Sequence, residues 1–134
     1  MGTAGGVRHA LDFFEGKTCL ILNADVLIDL NLANFFAFHR SQSSKASLVV
    51  TEASQSVTNW IFSDPSHHIH TIGPETNQPN LKKQIFTGVQ LIDSSLIASL
   101  PEQEKLCLVQ DLYIPHLKEG KTVNAFKLKG YWRD

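Results

Sequence analysis

A short apolar run near the beginning of the chain, Thr18 to Asn23, constrains the possible folds more than any other segment. Polar and apolar residues do not alternate in it, so both faces of the predicted strand are expected to be buried. Such a strand lies inside a sheet that helices cover on both sides. The run therefore predicts an α/β fold and places Asp25 just beyond the C-terminal end of the strand, where α/β sheets bind ligands.

The segments that follow continue the alternation of strand and helix. Apolar residues between Asn31 and His39 recur at helical spacing, the polar stretch from Ser41 to Lys45 ends that helix, and Ala46 to Glu52 predicts the next strand. Together with the first strand they form one βαβ unit, a crossover that is right-handed in about 98% of cases. The sequence thus predicts a Rossmann-like sheet, mixed but mainly parallel, flanked by helices.

The rest of the chain is expected to complete this sheet. Two short strands around the turn Asp64-Pro65-Ser66 predict a hairpin at the sheet edge. Gly88 interrupts a predicted strand, and a glycine inside a strand often marks close approach by a ligand or another backbone. No internal repeat or domain boundary is visible, so residues 1–134 are interpreted as one partial domain. The remaining predicted elements are a strand from Gln84 to Asp93, helices from Ser94 to Leu100 and from Leu108 to Glu119 with Gly120 as a stop, and a strand from Thr122 to Lys129.

Composition narrows the classes of partner. With 43% hydrophobic residues, 19% charged residues and a formal net charge of -1, the chain is of ordinary globular type and no long-range attraction to nucleic acid is expected. Its apolar runs are far shorter than the roughly 18 residues of a membrane span, and no basic-then-apolar leader is visible. We therefore predict a cytoplasmic protein without nucleic-acid or membrane partners. Cys19 and Cys107 each lie in an apolar run and are predicted to be small buried residues.

Three groups of residues are candidates for a site because each lies at the end of a predicted element. They are Gly2-Thr3-Ala4-Gly5-Gly6 before a helix, Asn23-Ala24-Asp25 after the buried strand, and Trp132-Arg133-Asp134 after the last strand. Glycines let backbone N–H groups at a helix N-terminus approach a ligand, and two carboxylates from separate strands can hold a hard cation. From spacing alone, a flexible start, a turn or capping aspartate and an arbitrary final residue remain open readings of these groups.

Five segments of the chain carry a resemblance when they are taken together, namely Gly2-Thr3-Ala4-Gly5-Gly6, Leu22-Asn23-Ala24-Asp25-Val26-Leu27-Ile28-Asp29, Phe86-Thr87-Gly88-Val89, Asp111-Leu112-Tyr113 and Gly130-Tyr131-Trp132-Arg133-Asp134. In this order they resemble the sugar-1-phosphate nucleotidyltransferases. The resemblance covers nearly the whole chain and is greatest to the branch that contains mannose-1-phosphate guanylyltransferases and N-acetylmuramate-1-phosphate uridylyltransferases. It implies the nucleotide-diphospho-sugar transferase fold, lacking its N-terminal strands, and transfer of a nucleotidyl group from an NTP to a sugar 1-phosphate with release of pyrophosphate.

The resemblance also implies roles for particular residues. Asp25 is expected to be the catalytic carboxylate and to bind the cofactor Mg²⁺ together with Asp134. Gly88 is expected to let the sugar lie against its strand. The residues expected to face the nucleobase are Gly2, Thr3, Ala4 and Gly5.

One departure from the family pattern limits the expected activity. These 134 residues hold no counterpart of the G-x-G-x-R loop that binds the triphosphate, so we expect an N-terminally truncated domain that is inactive or very weak alone. The alternative is a non-catalytic binding or assembly module that reuses the fold. The strand from Cys19 to Asn23 would then leave a sheet edge open, and we expect a homo-oligomer or a partner chain to cover it.

The histidines and tryptophans have simpler interpretations. His68 and His70 share one face of a predicted strand without an evident third ligand, so an exposed hairpin is favoured over a metal site that includes His67. Trp60 and Trp132 are predicted to be core aromatic residues, with Trp132 next to the candidate metal site.

Overall fold

A computed structural model describes residues 17–22, 27–52, 57, 59–100 and 107–133 of the chain. Its helices are α1 (Leu32–Ser41), α2 (Ser94–Ala98) and α3 (Ile114–Lys118), and a π-helical turn (Leu108–Tyr113) leads directly into α3. No helix in this part of the chain is both long and apolar enough to cross a membrane. The strands are β1 (Thr18–Ile21), β2 (Leu27–Ile28), β3 (Ala46–Glu52), β4 (Trp60–Ser63), β5 (Ile69–Gly73), β6 (Lys82–Asp93), β7 (Asn124–Lys127) and β8 (Trp132–Arg133).

The long strand β6 organises the main sheet, whose order is β5-β4-β6-β3-β7. Along one edge, β6 pairs with β4 near its start and with β1 near its end. Along the other edge it pairs with β3. Since β1 and β3 are both antiparallel to β6, they run parallel to each other with β6 between them. The predicted strand–helix–strand unit is therefore present, with one antiparallel strand inserted at its centre.

The predicted α/β class, with a mixed sheet flanked by helices, is confirmed. The expected predominance of parallel pairing is not found. Among the described strand pairs, only β3 and β7 are parallel. The physical reason is that β3 and β6 are buried on both faces, and an apolar run buried in this way carries no periodic signal for strand direction.

The predicted hairpin is confirmed, because β4 and β5 are antiparallel and β5 lies at one end of the sheet order. The outer edge of the sheet at β5 is hydrogen-bonded over part of its length. The N–H of Ile69 donates to the carbonyl of Val123 at 2.9 Å, and the N–H of Ala125 donates to the carbonyl of His67 at 2.8 Å. The first and last strands of the sheet order thus meet where β5 begins.

Two apolar clusters occupy the two faces of the sheet. Leu48 and Val50 of β3 belong to the larger cluster, which also receives Tyr113 from the π-helical turn. Val49, between them in sequence, belongs to the smaller cluster, where α1 contributes Phe35. The alternation along β3 follows from the pleat, which points successive side chains to opposite faces. Helical segments therefore cover both faces, as the apolar strands predicted.

Two expectations about the second half of the chain were wrong in part. The predicted helix from Leu108 to Glu119 is divided into the π-helical turn and α3, and Pro115, which has no N–H to donate, lies at the start of α3. Cys19 is buried as predicted, but Cys107 is exposed. Its backbone N–H donates to the Asp111 carboxylate at 2.6 Å, so Cys107 lies at the start of a turn and not in the core.

Candidate functional site

The predicted site residues divide into those that the structure describes and those that it does not. Gly88 is described. Its role as a sugar contact stays a prediction, as do the roles of the other predicted site residues. Those that lie outside the described residues are Gly2, Thr3, Ala4, Gly5, Asp25 and Asp134.

A two-stranded β-ribbon joins the flanks of two candidate groups. β2 and β8 are antiparallel, with Leu27 opposite Arg133 and Ile28 opposite Trp132. The N–H of Asp29 donates to the carbonyl of Tyr131 at 2.6 Å and extends the pairing by one step. We call this unit the β2–β8 ribbon. It places the segment that follows Asn23-Ala24-Asp25 in sequence beside the segment that precedes Asp134.

Gly130 permits the close approach on which the ribbon depends. A Cβ atom built on Gly130 would lie 2.3 Å from the carbonyl oxygen of Asp29 and 3.0 Å from the Cβ and Cγ atoms of the same residue. The nearest atom belongs to the backbone and cannot rotate away, so the site requires a glycine. In the sequence, this glycine stands directly before two aromatic residues. The steric reason for a glycine at this position was not predicted.

The strand that carries Gly88 contains a bulge at this glycine, which was not predicted from the sequence. Leu48 pairs with Gln90 and Val50 with Phe86, so the single residue between Leu48 and Val50 faces three residues of β6. Gly88 has φ +92, a backbone conformation that residues with a side chain rarely adopt. We call the three residues the Thr87–Val89 bulge. Bulges of this kind are frequent next to active sites, where they redirect the backbone.

Two side chains satisfy backbone groups of the Thr87–Val89 bulge. The Thr87 hydroxyl donates to the carbonyl of Val49 at 2.8 Å and accepts the N–H of Val89 at 3.3 Å. The indole N–H of Trp132 donates to the carbonyl of Thr87 at 3.1 Å. Trp132 also packs against the smaller cluster, which includes Phe35 and Val89. The prediction of Trp132 as a core aromatic therefore omitted its polar contact, and the hydroxyl of Thr87 was also missed.

The segment Asp111-Leu112-Tyr113 forms part of the π-helical turn, a structure that often occurs at functional sites. Tyr113 is fully buried, and its hydroxyl donates to Oε1 of Gln90, two residues beyond Gly88 on β6. Burial raises the pKa of Tyr113, so the phenol remains a neutral donor. Tyr113 thus anchors β6 at Gln90, the residue directly after the Thr87–Val89 bulge.

A cleft of about 520 Å³ lies between the start of α1, the end of β7 and the β7–β8 connection. Aromatic side chains of Phe38 and Phe126 line it, with ring centroids 5.1 Å apart. Asp29, Lys127 and Lys129 also line it, so charges of both signs face the same space. The lining does not favour a ligand of one charge.

The hairpin histidines contact a carboxylate. Nε2 of His70 lies 2.7 Å from Oδ2 of Asp64, whose other oxygen accepts the N–H groups of Ser66 and His68. Desolvation acts to raise the pKa of Asp64, but these hydrogen bonds outweigh it and lower the pKa. Among residues 17–22, 27–52, 57, 59–100 and 107–133, no group of three or more His, Cys, Asp or Glu could hold a metal ion. Asp25 and Asp134, the predicted Mg²⁺ ligands, lie outside this part of the chain.

Comparison with known proteins covers the chain from end to end. Residues 1–134 match the family model described as nucleotidyl transferase. Mannose-1-phosphate guanylyltransferase catalytic subunit beta of Dictyostelium discoideum is 23% identical over 145 residues, an alignment covering 100% of this chain and 37% of that protein. UTP--glucose-1-phosphate uridylyltransferase of Synechocystis is 24% identical over 140 residues, with 100% and 36% covered. The chain thus spans little more than a third of these curated relatives.

Among solved structures, HddC from Yersinia pseudotuberculosis in complex with GMP-PN is similar to this chain with a TM-score of 0.74. The sequence identity is 20%, and the alignment covers 99% of this chain and 56% of that one. The likeness at this identity concerns the fold alone.

Proposed function

This chain belongs to the nucleotidyl transferase family, and from that premise we propose that it forms the sugar-phosphate and metal half of a nucleotidyl transfer site. The observation that carries the proposal is the hydrogen bond from Trp132 to Thr87, 45 positions apart in sequence. It connects the β2–β8 ribbon, which flanks Asp25 and Asp134, to the Thr87–Val89 bulge. Described residues of three separate motifs are thereby linked through strand pairing and one hydrogen bond.

The proposed reaction transfers a nucleotidyl group from an NTP to a sugar 1-phosphate and releases pyrophosphate. An oxygen of the sugar phosphate attacks the α-phosphorus in line, and the bond to the departing pyrophosphate breaks. A phosphate monoester is already anionic near neutral pH, so no side chain has to act as a strong base. The protein contributes mainly by positioning the sugar phosphate and the α-phosphate of the NTP. The names of the curated relatives, which transfer guanylyl or uridylyl groups to sugar 1-phosphates, support this reaction class.

Asp25 and Asp134 are proposed to hold Mg²⁺. The chemistry of this donor set fits, because carboxylate oxygens are the ligands that Mg²⁺ takes in proteins. The pairing of β2 with β8 supports their convergence, since Asp25 is two residues from Leu27 and Asp134 is one residue from Arg133. A bound Mg²⁺ would neutralise charge on phosphate oxygens. Gly2, Thr3, Ala4 and Gly5 are proposed to face the nucleobase.

The same proposal limits activity. The 134 residues hold no G-x-G-x-R segment, so we propose that they do not turn over NTP and sugar 1-phosphate unless such a segment is also present. The function proposed for these residues alone is therefore binding of the cation and of the sugar phosphate, with contacts to the nucleobase but without turnover.

A titration with Mg²⁺ or Mn²⁺ followed by NMR tests this function. Among the described residues we expect the backbone resonances of Leu27 and Arg133 to shift most, because they are two residues and one residue away from the proposed ligands. Asp25→Asn should weaken the response at least tenfold, since it removes one of two carboxylates from an incomplete ligand shell.

Asp29→Asn is the matched control, because Asp29 is an exposed aspartate at the opposite end of β2. It should leave the titration unchanged. A response centred on His67 to His70, or an equal response in wild type and Asp25→Asn, would contradict the metal assignment.

We also propose that the chain associates through the edge near β1. Within the described residues, β1 has a strand partner on one side only, which is β6. Leu22, directly after β1, is 55% exposed, and Leu27 of the ribbon is 66% exposed. An unpaired strand edge with apolar neighbours favours pairing with another chain.

Light scattering tests this association. We expect a mass above the monomer value of 14.9 kDa that falls towards that value on dilution. Leu22→Gln should raise the dissociation constant about tenfold by removing apolar contact, whereas Leu32→Gln, at an exposed leucine that begins α1, should not. A constant mass near 14.9 kDa at all concentrations would refute the association.

A further inference from the structure

We propose that Trp132 is a positioning residue whose indole N–H fixes the geometry of the Thr87–Val89 bulge. The proposal rests on the function above, because it concerns the backbone that the sugar phosphate is expected to contact. The β2–β8 ribbon and the Thr87–Val89 bulge then move as one unit. Ligand binding at the ribbon would then change the geometry of the bulge, and ligand binding at the bulge would change the geometry of the ribbon.

The bulge creates the need for such a contact. Where one residue of β3 faces three of β6, the regular ladder cannot pair every backbone group. The Thr87 hydroxyl hydrogen-bonds two of these groups, the carbonyl of Val49 and the N–H of Val89. The carbonyl of Thr87 accepts the indole N–H of Trp132. A buried carbonyl without a donor is costly, so loss of the indole N–H would favour a different backbone arrangement at Gly88.

Trp132 is itself held in place, which makes it an effective anchor. Its backbone pairs with Ile28, and its ring packs against the cluster that includes Phe35 and Val89. The next pairing step, from Asp29 to Tyr131, fixes the strand just before it. The indole therefore donates from a constrained position, and the bulge adjusts to it.

The position of Trp132 in the chain gives the contact its functional meaning. Trp132 precedes the proposed metal ligand Asp134 by two residues, and Thr87 directly precedes Gly88. The hydrogen bond thus spans the proposed metal and sugar-phosphate positions. A ring without an N–H could fill the same space but could not impose this geometry.

Trp132→Phe separates the two roles, because phenylalanine keeps an aromatic ring and removes the donor. We expect hydrogen exchange at the amides of Gly88 and Val89 to become about threefold to tenfold faster, the range for one net hydrogen bond. Exchange at Leu91, further along β6, should not change. The affinity for mannose 1-phosphate or glucose 1-phosphate, measured by calorimetry, should fall by a similar factor.

Trp60→Phe is the matched control. Trp60 is a partly buried tryptophan on β4, and its ring contacts the ammonium group of Lys83 at 4.2 Å. This variant should leave Gly88 exchange and sugar-phosphate affinity unchanged. Equal effects of the two variants, or unchanged exchange at Gly88 in Trp132→Phe, would overturn the positioning role.

A measurement on the wild-type chain keeps the proposal testable if Trp132→Phe does not fold. The indole N–H resonance of Trp132 should lie downfield and exchange slowly, and mannose 1-phosphate should shift it without shifting the Trp60 indole. A fast-exchanging Trp132 indole would refute the hydrogen bond in solution. If the wild-type chain binds neither sugar phosphate, the proposed function fails, while exchange at Gly88 and Val89 still decides whether Trp132 fixes the bulge.

Discussion

Replacement of Gly130 by alanine is expected to separate the two strands of the β2–β8 ribbon and to destabilise the fold by about 1–3 kcal/mol. The added Cβ would lie 2.3 Å from the Asp29 carbonyl oxygen, so the backbones must move apart. That movement would break the 2.6 Å hydrogen bond from Asp29 to Tyr131. Urea denaturation measures the loss of stability, and faster hydrogen exchange at Asp29 would locate it.

The control for Gly130→Ala is Gly73→Ala. A Cβ on Gly73 meets nothing within 4 Å, and Gly73 has no positive φ, so its replacement should change stability by less than about 0.5 kcal/mol. A strained ribbon should also release Trp132, so Gly130→Ala is expected to increase exchange at Val89 while Gly73→Ala does not. Similar stabilities for the two variants would show that the ribbon tolerates a wider separation.

Replacement of Gly88 by valine is expected to be the most damaging change at the proposed sugar-phosphate position. Its φ of +92 is strained for any side chain and most for a β-branched one, at a cost of about 1–3 kcal/mol. Relief of this strain would flatten the Thr87–Val89 bulge. We expect loss of stability in urea and loss of detectable binding of mannose 1-phosphate by calorimetry.

Two further variants show whether backbone conformation is the cause. Gly88→Asn should be milder than Gly88→Val, because asparagine tolerates positive φ better than other residues with side chains. Gly73→Val introduces the same side chain into β5 at a glycine without positive φ and should have little effect. If Gly88→Val binds mannose 1-phosphate as wild type does, the sugar contact carried over from the family resemblance is wrong.

Much of the secondary structure could be predicted because its signals are local. The helix near Asn31 to His39 is present as α1, and the side chain of Asn31 caps it by accepting the N–H of Asn34 at 3.0 Å. The strand from Ala46 to Glu52 is present with those bounds. Helical periodicity and the cap involve residues within one or two turns of each other. Such patterns can be read without knowledge of the fold.

The candidate site was predicted less completely, because its contacts join distant segments. The interruption of β6 at Gly88 could be predicted from the glycine alone. The donors that hold the bulge could not, because Thr87 reaches Val49 and Trp132 reaches Thr87 across 38 and 45 positions. Side chains with an apolar body and a polar group, such as these two, fit a core pattern whether or not the polar group has a partner.

The sequence by itself determined the family, the α/β class, most strand and helix positions, and the motifs near which a site is expected. Tertiary structure alone decided that β6 is inserted antiparallel between β1 and β3, that Gly130 must allow contact with Asp29, and that Trp132 completes the bulge. The physical reason is the same in each case. Apolar periodicity records which faces are buried, whereas strand direction, register and hydrogen-bond partners depend on which buried faces meet.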